Sequence, residues 1–143
     1  MRFYKNNAYP EIFLHDCDFE LKYENGNLIF SFDNGFCKQE EETKLVKGCI
    51  QIRDLPIEEV SIMAGRHYNL FGRWYEISKD ISYSELLDYL KNSSLQVVDE
   101  FYNGSSLWYR CFVYPFHKRQ KYYYIEICVD YSDKDLEYYL FDE

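Results

Sequence analysis

The sequence predicts an α+β fold: a strongly bent antiparallel β-sheet, or open half-barrel, carrying one main amphipathic helix at about residues 82–91. Three observations lead there. Apolar and polar residues alternate with a period of two through much of the chain, the spacing of half-buried strands. The segments between these runs are short, which suits hairpins and leaves little room for βαβ crossovers. One stretch alone switches to helical spacing, behind a capping signal. A single helix cannot cover both faces of such a sheet, so the sheet must close around its own side chains. The 143 residues fit one domain, 1–143, and 20% aromatic content, with 16 Tyr, supplies large side chains for its interior.

The first element is a hairpin. Cys17–Tyr23 alternates strictly, Asn25-Gly26 is the preferred type I′ pair, and Leu28, Phe30 and Phe32 share one face of the returning strand. Asp33-Asn34-Gly35 is expected to close that strand. The charged stretch Lys38–Lys44 reads as a loop or solvated strand end. A third strand runs from about Leu45 to Asp54, with Val46, Ile50 and Ile52 inward, and Pro56 ends it. Glu58–Ala64 fits a fourth strand or a helical turn, and Arg73–Ser78 a weak fifth strand after Gly72. Ser82-Tyr83-Ser84-Glu85 is a capping box, followed by an apolar stripe of Leu86, Leu87 and Leu90. The last third reads as a meander: Leu95–Tyr102, Leu107–Tyr114, Tyr122–Tyr131, and a final strand with Leu136, Tyr138 and Leu140 inward. A basic turn at His117–Lys121 joins the second and third of these.

Charge narrows the function. Sixteen Lys and Arg against 25 Asp and Glu leave a net charge of −9. That disfavours nucleic acid as a partner, because phosphate contacts need a basic face. The start has no apolar segment behind its positive charges and no stretch is long enough to span a membrane, so a cytoplasmic protein without membrane attachment is expected. Five widely spaced cysteines read as reduced, half-buried thiols. No phosphate-loop, dinucleotide or nucleophile-elbow signature occurs, so enzymatic activity has no support and no cofactor is expected.

Three groups of residues are candidates for function. His15, Asp16 and Asp18 form the densest chemical cluster. Strand alternation turns His15 inward with Cys17 and both Asp outward, so the three do not converge on a metal unless a bulge intervenes; an enzyme using them is the third reading, behind the two given below. Residues 126–143 hold seven acids and one base. Tyr122, Tyr124, Glu126, Asp130, Glu137 and Tyr139 are expected to share the outer face of the last two strands. Carboxylates beside Tyr there would suit a basic protein partner. Trp74 and Trp108 are candidate stacking platforms for a small ligand or carbohydrate in a curved sheet. The main expectation is a non-enzymatic binding protein that masks a basic partner; the alternative is an aromatic-lined ligand pocket. Pairing with a second copy through an exposed edge strand is also open. In size, charge and composition the chain is similar to small bacterial immunity proteins and phage-encoded inhibitors, a likeness that rests on no residue motif.

Overall fold

The computed structural model describes residues 2–5, 12–38, 41–115 and 121–141. The expected basic turn lies almost wholly outside them, as do Gln39 and Glu40 of the charged stretch. The elements are β1 (Arg2–Lys5), β2 (Ile12–Phe13), β3 (Asp18–Glu24), β4 (Asn27–Lys38), β5 (Glu41–Ile52), a 3₁₀ turn (Ile57–Glu59), β6 (Val60–Leu70), β7 (Arg73–Ile81), α1 (Tyr83–Tyr89), β8 (Ser94–Tyr102), β9 (Ser106–Tyr114), β10 (Tyr124–Asp130) and β11 (Glu137–Leu140). The strands form one open antiparallel sheet in the order β1-β11-β5-β4-β3-β8-β9-β10-β6-β7, with β2 also on β4. The molecule is therefore mainly β, with less helix than an α+β label implies.

The β3–β4 hairpin turns at Asn25 and Gly26, with φ of 54° and 77°, the left-handed pair a type I′ turn requires. β4 does not end at Asp33-Asn34-Gly35. Gly35 adopts φ 94° there, and its missing Cβ leaves room for Leu45, whose Cβ would otherwise lie 2.9 Å away. The strand bulges, then continues, with Phe32 and Phe36 both buried and their rings 5.4 Å apart. The β6–β7 hairpin is longer than expected, because Phe71 and Gly72 (φ 51° and 77°) make a second tight turn. Phe is a poor marker for that backbone conformation, and the sequence pattern hides the turn.

The inner face of the sheet curls onto itself. Phe19 of β3 and Phe30 of β4 both pack on Tyr109 of β9, at 6.4 and 5.1 Å between ring centroids. Val46, Ile50 and Ile52 of β5 face inward as expected, as do Ile125, Ile127 and Val129 of β10. Helix α1 is shorter than expected. It spans seven residues behind the capping box of Ser82 and Glu85. It bridges β3 and the approach to β10. Tyr23 N–H donates to Tyr83 Oη at 3.1 Å, and Tyr122 N–H to Tyr89 Oη at 2.9 Å. Leu86 is fully buried, whereas Leu87 is exposed, so the buried stripe is Tyr83, Leu86, Tyr89 and Leu90.

Two further expectations are corrected, one of side-chain direction and one of strand order. His15 does not point inward. Residues 14–17 form a turn, closed by Cys17 N–H donating to the Leu14 carbonyl at 2.9 Å, and Asp16 sits at φ 62°. The turn breaks the alternation and leaves His15 exposed. The meander also fails at its end. β8, β9 and β10 follow one another, but the free side of β10 is taken by β6, where Ile127 meets Ile62. β11 instead crosses to β5, pairing Tyr138 with Ile50.

Candidate functional site

The outer face of β8, β9, β10, β6 and β7 carries the most concentrated surface chemistry. Along β9, Tyr109 and Cys111 point inward, so Trp108, Arg110 and Phe112 point out. On β10, Tyr124, Glu126, Cys128 and Asp130 oppose Phe112, Arg110, Trp108 and Ser106 of β9, on the same face. β8 joins this face through a bulge. Val97 opposes Cys111 but Asp99 opposes Arg110, leaving Val98 as the extra residue. The shift turns Asp99 and Phe101 outward and Glu100 and Tyr102 inward.

Two depressions flank this face. The first has a volume of about 390 Å³ and lies between the β6–β7 hairpin and β8–β10. Its polar groups are His67, Glu76, Asp99, Arg110 and Glu126. Arg110 Nε lies 3.3 Å from Glu126 Oε1, and its Nη1 lies 3.9 Å from Asp99 Oδ2. The same guanidinium sits 5.3 Å over the Trp108 ring, which stacks on Phe101 at 4.9 Å. Tyr124 Oη donates to Glu76, and burial with that carboxylate beside it holds the phenol above its ordinary value. The His67 ring stacks on Tyr124 at 5.3 Å, and Tyr123 Oη donates to the His67 carbonyl at 2.9 Å. The second depression, about 360 Å³, is lined by Glu58, Glu59, Ser61, Trp108, Cys128 and Asp130. Trp108 Nε1 is buried there with no acceptor among the described residues.

The structure divides the six expected partner residues. Tyr124 and Glu126 line the first depression, and Asp130 lines the second. Tyr122 is buried against Tyr89 of α1 and faces no partner. Glu137 and Tyr139 lie on β11, in the other half of the sheet. There Glu137 is only 7% exposed, with Arg53 Nε 2.9 Å from its Oε1, and Tyr139 Oη accepts from Arg53 at 2.7 Å. They do not extend the β10 face, because β10 and β11 are not neighbours. Trp108 lines the second depression, while Trp74, strongly exposed on β7, lines neither. His15 Nδ1 lies 2.6 Å from the Val98 carbonyl and its Nε2 3.4 Å from Asp16. Asp18 does not join them. Its Oδ1 is buried without a hydrogen-bond partner among the described residues, which hold no group of three or more His, Cys, Asp or Glu placed to bind a metal. Burial pushes the Cys17 thiol up to about 12, so it is protonated at neutral pH.

Sequence reasoning missed His67, Glu76, Asp99, Phe101, Arg110 and Phe112. The alternation Trp108, Arg110, Phe112 was a usable signal for β9. Asp99 and Phe101 were hidden, because the bulge at Val98 reverses the alternation partway along β8 and strict alternation from Val97 would turn both inward. Comparison with known proteins finds no matching family model, no similar curated protein and no similar solved structure. No described helix is long and apolar enough to cross a membrane.

Proposed function

We propose that this chain is a non-enzymatic cytoplasmic binding protein that masks a basic protein partner, in the manner of an immunity or inhibitor protein. The masking surface is the outer face of β8–β9–β10–β6. One observation carries the reading: six acids, Glu58, Glu59, Glu76, Asp99, Glu126 and Asp130, line the two depressions, the second of which also holds Trp108. Of the cations there, Arg110 is already engaged by Asp99 and Glu126. An aromatic centre with acids around it supplies rigid contact area and steers a basic surface into register. The test is salt-sensitive capture of a basic protein from native lysate by the purified chain. Charge reversal by Glu126→Lys or Asp130→Lys is expected to weaken capture about tenfold, equivalent to about 1.4 kcal/mol. Glu20→Lys, on β3, should leave it unchanged. Equal loss for all three variants would remove this face from the reading.

A second reading has its own support. The first depression is within the size range of ligand pockets, roughly 300–1,000 Å³. It places Phe112 and Tyr123 rings beside carboxylates, His67 and Arg110, a combination suited to a small polyhydroxylated ligand or carbohydrate. A titration of mono- and disaccharides followed by NMR would show shifts confined to these residues, abolished by Phe112→Ala.

A further inference from the structure

β7 is the last strand of the sheet path among the described residues, and it carries charges at Arg73, Glu76, Lys79 and Asp80 but lacks three other features that protect an edge. It is nine residues long and contains no Pro. It pairs with β6 from Ile62–Ile81 to Leu70–Arg73 without a register shift. Its other side has no strand partner among the described residues. Bulges, Pro and very short length are common ways of preventing such an edge from pairing. Here Trp74 (73% exposed), Tyr75 (41%) and Ile77 (39%) stand on the open strand.

We propose that β7 pairs antiparallel with β7 of a second copy, about a two-fold axis at Ile77. The two sheets then become one. Such an axis runs perpendicular to the sheet and keeps each face on its own side, so directly opposed residues share parity. Overlap and charge together select among the registers this allows, because an axis at Tyr75 would pair only residues 73–77 of the strand. An axis at Glu76 would set Glu76 against itself and Arg73 against Lys79. An axis at Ser78 would set Glu76 against Asp80. With the axis at Ile77, Ile77 meets Ile77, Tyr75 meets Lys79, Trp74 meets Asp80 and Glu76 meets Ser78. No like charges stand directly opposite, and an aliphatic pair lies on the axis. The same geometry puts the acidic faces of both copies on one side of the joined sheet. Self-pairing does not depend on the partner proposed above, and the two are tested separately.

Sedimentation velocity of the full chain at rising concentration should show the mass moving from that of one copy to that of two. Ile77→Lys, at an already exposed position, should abolish the change while leaving the circular dichroism spectrum intact. Opposed residues in an antiparallel pair have Cα atoms about 4.5–5.5 Å apart, within reach of a disulfide. Under mild oxidation Ile77→Cys should therefore cross-link two copies well above the wild-type background set by the exposed Cys128. Trp74→Cys should not. A one-copy mass at every concentration, or equal cross-linking at positions 74 and 77, would overturn the proposal.

Discussion

Gly65 shows how one missing side chain shapes the outer face. A Cβ there would lie 2.4 Å from the Tyr124 ring, which crosses the strand at this point. The ring can then reach Glu76 and support His67, so a backbone position on β6 fixes the polar wall of the first depression. Gly65→Ala is expected to destabilise the fold by about 1–3 kcal/mol through overpacking. Most of that cost should disappear in the double variant with Tyr124→Ala, measured by denaturant unfolding in a double-mutant cycle. Additive losses would show that the clash lies elsewhere. Little of this was legible in the sequence. Tyr124 stood out as one of three consecutive tyrosines, but nothing near Gly65 said which ring would lie over it, because the contact joins strands 59 residues apart in the chain.

At the scale of elements, local signals were the reliable ones. The Asn25-Gly26 turn and the Ser82–Glu85 capping box each lie within four residues, and both are present. The box matters because α1 is too short to be stable by itself and depends on its first turn and on packing. Ser82 Oγ accepts from Glu85 N–H at 3.1 Å. Ser82→Ala should cost about 1 kcal/mol of stability. Because Tyr83 and Tyr89 tie this helix to β3 and to Tyr122, the loss should also accelerate hydrogen exchange at the Tyr23 and Tyr122 amides. Unchanged exchange there would mean that the helix is held by packing alone. Where the sequence misled, a turn was taken for an ending. Gly35 bends β4 without stopping it, and Phe71 stands where a glycine or asparagine is usual.

For the whole molecule, the buried polar cluster around Glu100 ties the β2–β3 turn to the interior. Glu100 Oε2 accepts from Leu14 N–H at 2.8 Å, its Oε1 accepts from Tyr102 Oη at 3.2 Å, and Tyr102 Oη lies 2.9 Å from Tyr109 Oη. Burial nevertheless dominates and holds the carboxyl above its ordinary 4.5. The folded state therefore keeps this proton when the unfolded chain has released it. The stability contributed by the group is present below 4.5 and is lost as the pH rises through the raised value. Glu100→Gln cannot titrate, so wild-type stability should fall relative to this variant across that window and run parallel above it. Denaturant melts at a series of pH values check this, and a pH-independent difference would refute it. The mainly antiparallel, curled sheet was readable from alternation. The sheet order was not, because the pairing of β11 with β5, as of Tyr138 with Ile50, joins segments distant in the chain that no local pattern links.

The extra residue in β8 has a less obvious meaning. If Val98 were excised, Leu95-Gln96-Val97 would run straight on into Asp99-Glu100-Phe101-Tyr102 in unbroken alternation, every side chain keeping its present side. Sorting oil from water thus does not require Val98. What it contributes is torsion, since an added residue winds its strand more tightly than its neighbours. Val98 acts as a wedge, steepening the coil of the ribbon at the place where His15 grips its carbonyl.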